Sequence, residues 1–344
     1  MNLTEALSQN LEINMDSEGV DIVFVGDTHL NYIAPRSRID DYPETCVKKL
    51  DMLRNMCKQR GFKDVAFMGD IFHKPKQPVD YLFKIMVALK RFKEDGIRCY
   101  TIVGNHDEYN ERLDSMDRTS LGILIEAGVL KSFHRVSFKT TGGTVNMYGF
   151  HYSEDPIPVM EQDSSELPIG DYNIMIAHMF YEFDLSKDSL KEKDIVNLGY
   201  DLYALGHDHV NYPTEHVGSA TIVRPGSFMR GTGHKYNLTR DVYVDVLRYK
   251  NKRASVERVT LDVQPAEMVF SASATDKVDL KSLTDDLKSQ FNSLITMLES
   301  PKTEGATVYK VMDDMVIQPK VKERIERYLE DFGVFRPSLN EEAS

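Results

Sequence analysis

Nine side chains of the kinds that bind divalent metals or move protons recur at one kind of place in this sequence. The chain reads Ile22-Val-Phe-Val-Gly-Asp27-Thr-His29, then Val65-Ala-Phe-Met-Gly-Asp70-Ile-Phe-His73, then Tyr100-Thr-Ile-Val-Gly-Asn105-His106-Asp107. Further on come Asn173-Ile-Met-Ile-Ala-His178 and Leu202-Tyr-Ala-Leu-Gly-His207-Asp-His209. One Gly-Asp or Gly-His pair after a strand is ordinary turn chemistry. Five in succession, each closing an apolar run, predict residues gathered on one rim, because α/β sheets build ligand sites at the carboxyl ends of their strands.

Asp27, His29, Asp70, Asn105, His178, His207 and His209 offer carboxylates, one amide oxygen and imidazoles, with no thiolate. Such a set suits manganese, iron or zinc better than calcium or a soft metal. Seven ligands exceed what one ion needs and suffice for two if one carboxylate bridges them. Two ions ~3.5 to 4 Å apart stabilise both the attacking and the leaving oxygen of a displacement at phosphorus, so the expected chemistry is hydrolysis of a phosphate ester. His106 adjoins Asn105 and is expected to stabilise the phosphorane or to protonate the leaving oxygen. Asp107 either orients that ring or caps the turn. His73 either touches the scissile phosphate, the reading we prefer, or is a satisfied loop histidine. His134, His151, His216 and His234 fall outside the pattern and read as surface or loop residues.

Alternating elements must position these groups. Strand-like Asp21 to Val25 precedes Glu44 to Arg60, where Val47, Leu50, Leu53 and Cys57 have helical spacing. Val65 to Met68 precedes a second helical stretch, Val79 to Asp95, ended by Gly96. Ile97 to Val103 begins a third unit. Strand-like runs follow at Val145 to Tyr148, Asn173 to Ala177 and Asp201 to Leu205, then period-2 segments at Asp241 to Leu247 and Ser255 to Val263. The pattern predicts an α/β domain of sheets covered by helices over residues 21–263. Residues 1–20, acidic and without Lys or Arg, read as an arm or a weak short helix. Residues 264–335 read as a small α+β domain: a strand through Glu267 to Phe270, amphipathic helices over Asp279 to Glu299 and Lys320 to Asp331, and a strand at Ala306 to Met312. Residues 336–344 form a tail.

The chain has 344 residues, a length that predicts about two domains. Lys and Arg number 42 against 54 Asp and Glu, leaving a net charge of −12. That is the wrong sign for holding nucleic acid by overall electrostatics, so any such partner must be gripped locally. Cys46, Cys57 and Cys99 are odd in number and form no C-x-x-C, which predicts reduced, buried thiols. No apolar run reaches the length of a membrane span and no secretory leader is visible, so a cytoplasmic protein is expected. The G-x-S-x-G, H-E-x-x-H, G-x-G-x-x-G and P-loop patterns are absent from the sequence, which argues against serine hydrolase, zincin and dinucleotide chemistry and against ATP binding through a P-loop.

The order D-x-H, G-D-x-x, G-N-H-D, H, G-H-x-H resembles the calcineurin-like metallophosphoesterases. Gly69-Asp-Ile-Phe-His73, Tyr203-Ala-Leu-Gly-His-Asp-His209 and Arg224-Pro-Gly-Ser227 with Arg230 resemble the SbcD-type DNA double-strand-break repair nucleases. The length is similar to that of a phage recombination endonuclease subunit. The resemblance spans residues 20 to 246 and implies a four-layer α-β-β-α sandwich with a C-terminal capping domain. It implies that Asp27, His29, Asp70 and His209 hold one manganese and Asp70, Asn105, His178 and His207 a second, with His106 as the transition-state residue and His73 as its helper. It further implies 3′-to-5′ exonuclease action on duplex DNA ends and endonuclease action on single strands, in recombination and repair. The implied partners are DNA, an SbcC-type ATPase subunit and a second copy of the chain, paired through the helices near Glu44 to Arg60 and Val79 to Asp95. Phe228 departs from the family's proline at that position and puts the shape of its loop in question. Lys74, Lys76, Arg224, Arg230, Lys235 and Arg240 lie in loops near the site in sequence and are the cations expected near phosphates, while the hairpin residues Arg248, Lys250, Lys252 and Arg253 either track backbone phosphates or form an exposed turn. Two other readings remain at this point: a small phosphomonoesterase or cyclic-nucleotide phosphodiesterase using the same site, and a non-catalytic scaffold.

Overall fold

The computed structural model describes residues 7–109, 112–152, 157–182, 189–233 and 235–271. Most of the expected capping domain, the tail and His234 lie outside the described residues.

The chain opens with β1 (Asn10–Asn14), an edge strand paired in parallel with a strand more than a hundred residues later. This corrects the reading of an acidic arm or short helix: Leu7 is buried and Glu12 pairs with Lys139 at 2.7 Å. β2 (Gly19–Val25) starts a second sheet and leads through α1 (Tyr42–Arg60) to β3 (Asp64–Phe67), α2 (Val79–Glu94) and β4 (Arg98–Thr101). The carboxylate of Asp41 accepts the Glu44 N–H at 3.1 Å and caps α1, which Gly61 ends at φ 75°. α3 (Ser120–Glu126) precedes the short β5 (Lys131–Ser132).

The chain then enters the other sheet with β6 (Arg135–Thr140) and β7 (Gly143–Phe150). α4 (Ile157–Ser164), β8 (Tyr172–His178), the small pair β9 (Phe180–Tyr181) and β10 (Ser189–Leu190), α5 (Glu192–Leu198) and β11 (Leu202–Gly206) follow. β12 (Tyr212–Val217) and β13 (Ala220–Arg224) complete that sheet. α6 (Lys235–Thr239) leads back to the first sheet, where β14 (Val242–Lys250) and β15 (Arg253–Leu261) form a hairpin before α7 (Ala266–Val269). The last is a helical turn where the sequence suggested a strand; Phe270 alone bridges to Arg38.

Two mixed sheets result, one of seven strands (β1-β6-β7-β8-β11-β13-β12) and one of six (β15-β14-β2-β3-β4-β5). Strand alternation assigns the layers. In β2, Val23 and Val25 face the core under α1 to α3, while Ile22 and Phe24 face the space between the sheets. There they meet Ile174, Ile176, Leu202 and Ala204 of the opposite sheet. The outer face of the seven-stranded sheet buries Met175, Tyr203 and Leu205 with Met160, Ile195 and Leu198 of α4 and α5. This is the α-β-β-α sandwich, and strands buried on both faces explain why the runs before each motif are continuously apolar. Phe92 on α2 is wholly buried; truncating such a residue to alanine costs ~3–5 kcal/mol. Cys46, Cys57 and Cys99 are free and buried. Among the described residues no helix is long and apolar enough to cross a membrane.

Candidate metal centre

β2, β3 and β4 run parallel in one sheet, and β8 and β11 run parallel in the other. Their carboxyl ends therefore deliver the motif residues to one rim where the two sheets meet. Asp27, His29 and His209 place one ligand atom each within 4.8 Å of one another, and so do Asp70, His178 and His207. Asn105 joins the second group, its Oδ1 lying 3.0 Å from His178 Nε2. The seven residues singled out from sequence are thus brought together, and His29, His73 and His106 form a third such group on one side.

Asp70 stands between the sets. Its Oδ1 accepts the His106 N–H at 2.9 Å, while Oδ2 lies 3.5 Å from His29 Nε2 and 3.4 Å from His178 Nε2. Burial raises the Asp70 pKa, but the imidazoles of His178, His106 and His29 outweigh it and hold the carboxyl well below its usual range. Asp27 Oδ1 accepts the His207 N–H at 3.0 Å. Among the described residues its buried Oδ2 has no hydrogen bond, and it lies 3.4 Å from His209 Nε2.

The rings are oriented for a cation. His178 Nδ1–H donates to Met68 O at 2.8 Å, leaving Nε2 to face His207 Nδ1 at 3.1 Å. His29 Nε2 faces His209 Nε2 at 2.8 Å. Ring nitrogens aimed pairwise at each other, with a backbone carbonyl fixing the tautomer behind one of them, are what a metal-binding imidazole set requires. Burial lowers the His178 pKa, yet Asp70 and Asp27 raise it to about 10, a measure of how strongly these carboxylates favour positive charge there. The donor set and the orphaned Asp27 oxygen fit two divalent ions.

The backbone carries strain at the same points. Among the described residues, His29, Asp70 and His207 have φ of 41°, 48° and 82°. Non-glycine residues at positive φ cost ~1–3 kcal/mol and persist where the surrounding structure fixes them, often at functional sites. Gly104 is required by close approach: a Cβ there would overlap the Asp70 carboxylate and amide.

His106 Nδ1–H donates to His73 O at 2.9 Å, and the two rings stack at 5.2 Å. Asp107 does not orient the His106 ring in this arrangement. It accepts the Gly104, Ile71 and Phe72 N–H groups at 3.1, 3.2 and 3.0 Å, and burial, with Asp70 nearby, pushes its pKa up to about 7. It caps the turn. Phe228 takes the family's proline position by burying its ring and donating its N–H to Asp27 O at 2.9 Å.

Several expectations are corrected. Arg224, Arg230 and Arg240 are buried, so they offer no exposed charge to a phosphate backbone. Arg224 pairs with Glu215 and stacks on Tyr212 at 3.8 Å, while Arg248 and Lys250 pair with Glu257 and Glu18 at 3.0 and 3.1 Å. Lys74 and Lys76 are exposed. His151 is not a free loop residue but a structural one, bonded to Val103 N and Leu7 O. Sequence reasoning also missed the aromatic wall on the His207 side, Phe180 at 4.1 Å and Tyr152 at 5.8 Å between ring centroids. Phe180 follows His178 by two residues, a usable signal; nothing local marks Tyr152.

A family profile described as calcineurin-like phosphoesterase matches residues 20–211, more than half of the chain. A protein named DNA double-strand break repair protein Mre11 from Methanopyrus kandleri is 22% identical over 218 residues, covering 59% of this chain and 47% of that protein. One of the same name from Haloferax volcanii is 25% identical over 272 residues, 74% of this chain and 55% of its own length. The chain thus spans about half the length of these curated relatives. A solved structure, GAP50, the anchor in the inner membrane complex of Plasmodium, aligns with 78% of this chain and 98% of its own at 11% identity and a TM-score of 0.44, below the level at which a likeness shows a shared fold.

Proposed function

The chain belongs to the calcineurin-like phosphoesterase family and is a metal-dependent hydrolase; on that premise we propose that it is a manganese-dependent DNA nuclease of the SbcD or Mre11 kind. In this reading it acts in the cytoplasm, degrading duplex ends 3′ to 5′ and cutting single strands during recombination and repair. The observation that carries the catalytic part is Asp70 Oδ2, placed between His29 and His178 where one carboxylate can serve both ligand sets. The DNA part is supported by the two Mre11 relatives.

Asp27, His29, Asp70 and His209 would hold one ion and Asp70, Asn105, His178 and His207 the other. When bound, the two ions supply positive charge to the attacking and leaving oxygens of the phosphodiester. His106, with Nδ1 fixed on His73 O, carries its second ring proton toward the leaving oxygen. His73, stacked on it, contacts a non-bridging phosphate oxygen. The exposed Lys74 and Lys76 continue the path of the strand. Partners in this reading are an SbcC-type ATPase, which supplies the ATP chemistry that this sequence has no P-loop to perform, and a second copy of the chain. The exposed Val79 and Phe83 of α2, at 82% and 59%, support pairing along that helix. Residues 264–335 are assigned to capping and partner contact.

The test is manganese-dependent cleavage of end-labelled linear duplex DNA by wild type, Asp70→Ala and His106→Ala. Stepwise loss from 3′ ends that disappears in folded variants is expected; undiminished cleavage by the variants would sink the assignment. The burial of Arg224, Arg230 and Arg240 favours a second reading in which the same centre hydrolyses a small phosphomonoester or cyclic nucleotide. High turnover of such compounds with none on DNA would establish it.

A further inference from the structure

Beside the two ligand sets, three imidazoles close on one another with no carboxylate among them. His29, His73 and His106 place one ligand nitrogen each within 4.8 Å of one another. The ring centroids of His73 and His106 lie 5.5 and 4.9 Å from that of His29. His29 is buried, whereas His73 and His106 are half-buried, so solvent reaches the group from their side. Of the three, only His29 belongs to a ligand set of the metal centre.

The Nδ1–H of His106 donates to His73 O at 2.9 Å, which fixes the tautomer and leaves the lone pair of the neutral ring on Nε2. His178 is tied from behind in the same manner, through Nδ1 to Met68 O at 2.8 Å. His29 is not. Its backbone is held, the N–H donating to Asp70 O at 2.9 Å and the carbonyl accepting from Tyr42 OH at 3.3 Å. Among the described residues, however, its buried Nδ1 has no hydrogen bond. Metal-binding histidines ordinarily anchor the second nitrogen on an acceptor. Without that anchor, the His29 ring can turn from His209, 2.8 Å from its Nε2, toward His73 and His106 and break no bond behind it. Asp27, Asp70 and His209 then remain for the first ion.

We propose that His29, His73 and His106 form a third metal site, which takes zinc in preference to manganese and switches the catalytic centre off when occupied. The donor chemistry sets the metal. Both ligand sets of the centre contain carboxylates, which suit manganese, whereas the trio is imidazole alone, a set that suits zinc and for which manganese ranks lowest among the first-row divalent ions. Zinc binds three imidazoles at ~2.0–2.1 Å with water in the fourth position, which brings tetrahedral nitrogens about 3.3 Å apart. Nitrogens already within 4.8 Å reach that spacing by ring rotation. Asp70 supplies negative charge alongside, with Oδ2 at 3.5 Å from His29 Nε2 and Oδ1 accepting the His106 N–H. An ion on His106 Nε2 occupies the place of the proton that this ring would deliver, so the acid is lost while zinc is bound. The inference rests on the two-ion reading of the metal centre and not on DNA as the substrate.

The test counts metal by elemental analysis after the full chain, stripped with a chelator, is dialysed against an excess of manganese or of zinc. Wild type is expected to keep about one more zinc than manganese per chain, about three against about two. His73→Ala, which removes a residue of neither catalytic ligand set, is expected to keep equal numbers of both. Equal counts in wild type overturn the proposal, and so does a zinc surplus that persists in His73→Ala, which marks an adventitious ion only. Fewer than about two manganese ions in wild type refutes the two-ion reading, and the zinc surplus decides the third site in that case too. Turnover gives the second readout. With manganese in excess, zinc in slight molar excess over the chain is expected to lower wild-type cleavage of duplex DNA by roughly 10²-fold or more, the share of a general acid. The smaller turnover of His73→Ala is expected to stay where it was. β-Glycerophosphate serves for the same comparison if the small-ester reading holds, since both substrates leave as alkoxides. Wild-type turnover unchanged by zinc, or an equal fractional loss in both proteins, refutes the switch.

Discussion

Acidification should loosen this protein through His151. Its Nε2–H donates to Leu7 O at 3.1 Å and its Nδ1 accepts the Val103 N–H at 3.1 Å, an arrangement open only to the neutral ring. Burial, outweighing the bond to Leu7, pushes its pKa from 6.5 down to about 4. The unfolded chain, with an ordinary histidine, takes up a proton first as the pH falls. Between 6.5 and about 4 the unfolded state binds more protons, so His151's contribution is complete above pH 6.5 and is lost on the way down. The whole gap is worth roughly 3 kcal/mol, and about 2 kcal/mol of it falls between pH 7.5 and pH 5.0. Urea unfolding at those two pH values, on wild type and His151→Gln, isolates the effect, because glutamine can make both bonds and does not titrate. The variant should lose about 2 kcal/mol less than wild type over the interval. Identical losses would refute the assignment of His151 as a neutral tie between the N-terminal segment and β4.

Gly104→Ala should displace the Asp70 carboxylate that its Cβ would overlap, destabilising by about 1–3 kcal/mol and weakening metal uptake as read by calorimetry. His106→Ala should retain metal binding while turnover falls by roughly 10²–10⁴-fold; loss of binding with unchanged turnover per bound metal would contradict the role assigned to it. Because Asp70 and Asp27 hold the His178 pKa at about 10, metal uptake near pH 7.5 should release a proton and affinity should rise with pH below 10. A pH indicator in weakly buffered solution measures the release, and uptake without it would count against His178 as a ligand.

What could be read in advance follows from what local sequence encodes. A run such as Val65-Ala-Phe-Met followed by Gly-Asp70 names both the strand and the end that carries chemistry, since a doubly buried strand must be apolar and its polar residue must follow it. The helices after β2 and β3 were legible to within two residues from spacing and, for the second, from Gly96. Residues whose role depends on distant carbonyls were not. Arg230 looks like a free loop cation until Asn237 and Gln264 are seen to occupy it. β1 has few apolar residues because it is an edge whose hydrogen bonds go to β6, so periodicity had little to detect. His151 is fixed by Leu7 and Val103, from two other parts of the chain.

The two sheets contribute unequal shares of the rim: Asp27, His29, Asp70, Asn105 and His106 follow strands of one, while His178, His207 and His209 follow strands of the other. No stretch shorter than the span from Asp27 to His209 contains the whole set. A chain emerging from the ribosome therefore lacks the complete centre until residue 209 has been made and the sheets have closed face to face. Hydrolytic activity therefore cannot precede the closure of the two sheets, however early the first ligands are made.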